Sequence, residues 1–275
     1  VSESLPPCTA NISPTTVEFG RSPIRTENRA FVAVENDGLG TCLINGIRLS
    51  PDTDQGIRLV DPPSEVRLAR GESHLIEVAF VPDRPADATD LTFTGTLEFY
   101  VSSDPSYFRF PITGEQSDVA LVRAPNVVDL VGGSNDCTRY ETEVALVNGS
   151  SNIVTVSSIR RVSTEFTTFR VEHDPTPFTI NREGGRRTIT VVGSPPATGT
   201  EHRVAQIEVT LNDDPTPFII PVVLRVDDYL RASERFVQAG QSESEVVWVL
   251  PFHNDTGGQS VADVVARPST LWERF

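Results

Sequence analysis

The sequence has no methionine and no lysine, so all 23 of its basic residues are arginine. An arginine-containing chain wholly without lysine carries the codon bias of a GC-rich genome, or a selection against lysine. A chain that begins at Val1 with no methionine is expected to have lost a signal peptide or to be a fragment. No run of about 18 apolar residues occurs, so no helix of this chain is expected to span a membrane. There is no basic block, and the net charge of −15 makes a nucleic-acid phosphate backbone an unsuitable partner. Cysteine is scarce. Cys8, Cys42 and Cys137 form no Cys-x-x-Cys pair, which excludes a zinc ribbon or thioredoxin-type motif. No Gly-x-Ser-x-Gly marks a nucleophile, and no glycine-rich loop joins a strand to a helix. His74, His173, His202 and His253 fall into no ligand spacing. No enzyme, cofactor or metal site is expected from these absences.

Turn formers and alternation dominate instead. Twenty-one prolines and 18 glycines punctuate the 275 residues. Between them lie short segments whose apolar residues recur at every second position, as on a strand with one buried face. Asn28–Glu35 places Ala30, Val32 and Val34 on one face. Cys42–Leu49, His74–Val81, and the hairpin arms 91–103 and 107–113 follow. Strands of this length between Gly, Pro, Asn and Asp turns indicate an all-β chain built of β-sandwiches.

The pattern then recurs about 110 residues later. Val101–Ile112 matches Leu211–Val222, which sets Asp104 against Asp214. Phe31–Asn36 matches Glu143–Asn148, Ile47 matches Ile159, and Gly71 matches Gly184 or Gly185. A period of that size is a whole domain. The expected organisation is an N-terminal extension (1–7), a first domain (8–116), a second (117–228) and a C-terminal extension (229–275). Phe31 and Val144 are expected at equivalent inward positions. A helical second half, or one continuous sheet through both halves, would argue against duplication. Pro111 and Pro221 fall in the last strand of each unit, which is therefore expected to be an edge or to bend.

The run Ser13-Pro-Thr-Thr-Val-Glu-Phe-Gly20, the strand end Glu35-Asn-Asp-Gly38, the segment Gly71–Pro82 and the Ser-Asp-Pro hairpin together resemble a known family. They are similar to the immunoglobulin-like domains of the abnormal-spindle/hydin type and, in bacteria, to the repeats of choice-of-anchor D surface proteins. The resemblance covers residues 8–228 and is weaker in the second unit, where Ala124–Leu130 replaces the Pro-x-x-Val-Glu-Phe-Gly pattern. It implies two tandem immunoglobulin-like sandwiches acting as binding and spacing modules, with no catalytic residues to carry over.

In related surface proteins such repeats precede a von Willebrand A domain, which opens with a strand, an Asp-x-Ser-x-Ser metal motif and a helix. Ser244–Leu250 supplies a strand. Gln259–Pro268 and Ser269–Phe275 read as helical, completing a strand/helix extension. The motif itself is replaced by Pro251–Asp255 or, with a shift, by Asp255–Gln259. The segment is therefore read as a degenerate copy without metal, with the N-terminal part of a metal-dependent adhesion protein as the alternative. Asn212-Asp213-Asp214-Pro215 is acidic enough for calcium, but Asp before Pro is also a turn signature. The sequons at Asn11, Asn148 and Asn254 are read as chance.

Two expectations concern specific residues. Cys8 opens the first strand and Cys42 the third, just after the Asn36–Gly38 loop. In an antiparallel sheet these points lie at one end, which predicts a disulfide, and with it an oxidising, extracytoplasmic compartment. Leu5 three before Cys8 suggests a lipoprotein box, but Pro6 and Pro7 fit it badly. The tail concentrates large apolar residues, Trp248, Phe252, Trp272 and Phe275, behind a polar linker, and these are expected to bind other protein chains in a homo- or hetero-oligomeric assembly. The chain thus reads as a non-enzymatic, extracytoplasmic structural or adhesive protein.

Overall fold

Nine strands form from the first half of the chain. They are β1 (Ala10–Ser13), β2 (Val17–Pro23), β3 (Asn28–Asn36), β4 (Cys42–Leu49), β5 (Ile57–Leu59), β6 (Glu65–Leu68), β7 (Ser73–Phe80), β8 (Thr92–Val101) and β9 (Asp104–Ser117). Nine more follow: β10 (Leu121–Ala124), β11 (Val128–Gly133), β12 (Tyr140–Asn148), β13 (Val154–Val162), β14 (Phe169–Glu172), β15 (Phe178–Ile180), β16 (Gly185–Gly193), β17 (His202–Leu211) and β18 (Phe218–Asp227). The computed structural model describes residues 7–85, 88–102, 104–133, 140–162, 169–193, 202–212, 214–227, 246–253 and 259–266. Cys137, Trp272 and Phe275 lie outside them.

The two sets share one plan. Sheet order β1-β3-β7-β5 in the first half recurs as β10-β12-β16-β14 in the second. Order β2-β9-β8-β4-β6 recurs as β11-β18-β17-β13-β15, but the two runs are joined at β18–β2 into one ten-stranded sheet through both halves, the arrangement set out above as arguing against duplication; the join is the single pair Phe218↔Gly20. Even the parallel pairing is kept, β2 on β9 and β11 on β18. These are two immunoglobulin-like β-sandwiches in tandem, and the fold is all-β.

Alternation places the inward side chains. On β17, Ala205, Ile207, Val209 and Leu211 are buried in the second core. The first core is rich in phenylalanine: Phe80 sits 5.2 Å from Phe19 and 5.0 Å from Phe93, ring centre to ring centre. Such pairs add to area burial through edge and offset contacts.

Several details differ from the sequence reading. Cys42 opens the fourth strand, because residues 10–23 make two strands, β1 in one sheet and β2 in the other. Val32, not Phe31, is the inward counterpart of Val144: both are fully buried in their cores, whereas Phe31 lies outside the core on the opposite face of β3. Neither β9 nor β18 is a plain edge. Pro111 and Pro221 stand one residue before the parallel partner joins, at Ile112↔Val17 and Val222↔Val128. Proline has no N–H to donate, so the second ladder starts just after it. The Asp-Pro hairpins occupy equivalent places but differ locally. Asp104 already pairs with Val101, while Asp214 belongs to the longer connection before β18.

Residues from Asp228 onward form a separate unit. There β19 (Val246–His253) pairs antiparallel with β20 (Gln259–Ala266). The helix expected over Gln259–Pro268 is therefore a strand where it is described. Three β-branched valines in eight residues favour the extended chain, and β20 is in register with β19 at all eight positions.

Asn36 and Asn148 close the same loop in each sandwich. Asn36 Nδ2 donates to the Gly40 and Leu68 carbonyls at 2.7 and 2.9 Å, and its Oδ1 accepts from Gly38 N–H at 3.0 Å. Asn148 does the same with Asn152, Ile180 and Ser150. Both side chains are fully buried. Asn36→Ala is expected to cost about 2 kcal/mol, since it strands buried polar groups. Urea unfolding would check this, and a cost near zero would show that water replaces the amide.

Candidate functional site

The most specific arrangement in the described residues is the joint between the two sandwiches. It begins at a bulge. The β2–β9 register shifts between Glu18 and Arg21, and Gly20 there adopts φ +58°. The bulge turns the strand outward, and Gly20 pairs with Phe218 of β18. Arg21 N–H donates to the Pro217 carbonyl at 2.8 Å. Through this one backbone pair the two halves share a single ten-stranded sheet. A Cβ on Gly20 would fall 2.2 Å from the Pro217 oxygen and 2.7 Å from Ile219 Cγ1. Only glycine combines that backbone angle with that approach.

Beside it, the Arg21 guanidinium meets the Asp214 carboxylate at 2.5 Å, with Glu115 at 3.6 Å. Asp214 also accepts the Thr216 N–H at 3.0 Å. The Thr216 bond is the local side-chain-to-backbone contact of an Asp turn. Among the described residues, no group of three His, Cys, Asp or Glu is placed to hold a metal.

Apolar side chains fill the middle of the joint. Phe31 and Ala33 on β3, and Ile219 and Val223 on β18, are buried yet belong to neither core. Arg123 on β10 is also buried and donates to the Ile219 carbonyl. Burial pushes its pKa down to about 10, which leaves it charged at neutral pH. At the far end, Ser73 meets His202, and Glu35 meets Arg203 at 3.5 Å.

The sequence places Gly20 and Pro217, or His74 and His202, in different halves with no spacing rule to connect them. One signal was present. Ala30–Val34 and Phe218–Leu224 are unbroken apolar runs apart from Pro221. A continuous run, unlike alternation, marks a strand covered on both faces.

No protein-family model matches this chain, and a search of curated proteins finds no match. Solved structures do align with it. A protein of unknown function from Porphyromonas gingivalis is 14% identical, with TM-score 0.32, over 78% of this chain and 99% of that one. The ASH/PapD-like domain of human CEP192 is 16% identical, with TM-score 0.30, over 42% of this chain and 92% of that one. The Escherichia coli chaperone DraB is 12% identical, with TM-score 0.30, over 78% and 98%.

The cysteines and the tail complete the survey. Cys8 and Cys42 are joined by a disulfide, with Cα atoms 5.1 Å apart. Trp248 and Phe252 both lie on β19, in register opposite Val264 and Ser260. Val246 to Phe252 is apolar in sequence throughout.

Proposed function

We propose that the protein is a non-enzymatic, extracytoplasmic structural or adhesive protein that works through protein–protein contact. The two sandwiches are the rigid support, and the segment carrying Trp248, Phe252, Trp272 and Phe275 is the element that meets other chains. The observation that carries this reading is the β19–β20 hairpin. A two-stranded ribbon by itself is marginal in water, and the strand Val246–Phe252 is apolar in sequence throughout. Burying one such side chain contributes about 1.5–3 kcal/mol, so the ribbon favours a partner.

A second observation narrows the choice. The matching strand orders support reading the chain as a duplicated module, residues 8–116 and 117–228. The joint itself is not repeated at either outer face. Arg109 and Thr113 stand where Ile219 and Val223 pack, Glu143 stands where Phe31 packs, and Val131 replaces Gly20. A longer array built by copying this joint would bury those charges, which is costly. Assembly is therefore assigned to the tail. The Cys8–Cys42 bond supports an oxidising compartment.

The test compares the full chain with one ending at Asp227 by light scattering during size-exclusion chromatography. The full chain should form larger species in a concentration-dependent way, and the shortened one should stay monomeric. Identical behaviour of the two would remove the tail from the reading. Addition of calcium should change neither profile.

A further inference from the structure

We propose that Arg123 is the residue that keeps the two sandwiches in one sheet: by occupying the Ile219 carbonyl it holds apart β2 and β11, the two strands that share one edge of β18, and so reserves Phe218 for Gly20. The inference does not depend on the function proposed for the tail.

On one edge β18 pairs with β17 from Phe218 to Arg225. Its other edge is divided. Phe218 takes Gly20 of β2, and Val222–Asp227 take β11. Between these points Ile219, Ile220 and Pro221 have no strand on that edge among the described residues. Pro221 has no N–H to offer. A carbonyl shielded from water in such an interval needs a donor. The nearest backbone source is β11 itself, lengthened back toward Ile219, and that would crowd β2 away from Phe218. Arg123 supplies the donor instead. It lies on β10, in the other sheet of the second sandwich, and its guanidinium donates across to the Ile219 carbonyl.

The first sandwich shows what stands at this place when the edge is not divided. Ala10 is opposite Asn36 and Leu121 is opposite Asn148, the two equivalent asparagines. Ile12 is therefore the counterpart of Arg123, and it packs against the first core. On β9 the counterpart of Phe218 is Phe108. It pairs with Phe99 of β8, while β2 joins the other edge only from Ile112 onward. An apolar side chain thus accompanies the edge that carries one strand, and an arginine the edge that carries two.

The arginine is an expensive choice for the second core. It is 5% exposed. Burial alone lowers its pKa to about 10, and no carboxylate among the described residues offsets this. It stays charged at neutral pH all the same. Replacing a buried charge by an apolar side chain of similar size is often neutral or stabilising, so filling the core does not account for it. Its contribution is the charge-assisted bond to Ile219, stronger than a bond between neutral groups.

The experiment is hydrogen exchange on the full chain and on Arg123→Met, which keeps the reach of the side chain and removes its donors. It follows Arg21 N–H, which bonds to Pro217 across the joint. Leu146 and Ile207 are controls within the second sandwich, each on a strand flanked on both sides. Protection at Arg21 should fall about ten-fold, as loss of one hydrogen bond from a charged donor predicts, while the controls hold. Arg123→Lys keeps a donor and the charge and should retain most of the protection; it is also the second variant should methionine fold poorly. Unchanged protection of Arg21 in Arg123→Met would overturn the assignment. So would an equal loss at Leu146 and Ile207, which would make Arg123 a core residue only, or an equal loss at Arg21 in Arg123→Lys.

Discussion

Replacing Cys8 and Cys42 together by alanine is expected to destabilise the first sandwich by about 4 kcal/mol and to leave the second nearly unchanged. The bond closes a loop of 34 residues, and loop-closure entropy alone gives about 3–4 kcal/mol for that length. The Cα separation of 5.1 Å is within the ordinary range, so strain does not consume the gain. Loss of packing adds to it, because Cys42 is fully buried in the first core. The bond also secures a weak spot. Before β1 the chain is held to the β3–β4 loop by single backbone bonds, Gly40 N–H to Pro7 and Asp37 N–H to Thr9. Denaturant unfolding of the oxidised, reduced and doubly substituted chains checks the figure. A loss below about 1 kcal/mol would mean that those backbone bonds suffice.

Gly20→Val is expected to cost about 3–5 kcal/mol and to open the joint without unfolding either core. A positive φ costs a residue with a Cβ about 1–2 kcal/mol. The new Cβ would also lie 2.2 Å from the Pro217 oxygen, so β2 must leave β18. With it go the Arg21–Pro217 bond and the Arg21–Asp214 pair, each contributing about 1 kcal/mol or more in a partly buried setting. Small-angle scattering should show a wider distribution of shapes, with far-UV circular dichroism unchanged. A variant with native dimensions and stability would show that the apolar contacts of Phe31, Ala33, Ile219 and Val223 hold the joint unaided.

These two sites differ in how far the sequence announced them. The cysteine pairing follows from strand ends and the one loop between them, a local matter. Gly20 was visible only as part of the Val-Glu-Phe-Gly pattern, and its absence from the second unit, as Val131, looked like simple divergence. The structure shows what differs: β11 runs against β18 without a bulge, whereas the bulge at Gly20 brings β2 to Phe218 of β18. Phe31 was misplaced for a related cause. Alternation tells which face of a strand is buried only when the other face meets water, and β3 is covered on both.

The tail shows the opposite failure. Valines at 261, 264 and 265 fit helical spacing, yet the same residues pair as a strand with β19. In a segment of eight residues, periodicity alone does not separate the two, and the available backbone partner decides.

By itself the sequence determined what depends on near neighbours along the chain. Most strand positions outside residues 10–23 and the tail, the turns that separate them, the recurring pattern and the cysteine loop follow from side-chain period, proline and glycine placement, and loop length. Only the tertiary structure decided what depends on two outward faces meeting. Gly20 beneath Pro217, Arg21 against Asp214 and His74 beside His202 are separated by more than a hundred residues. No local preference selects those pairs; they arise because packing one sandwich on another excludes water from both surfaces at once.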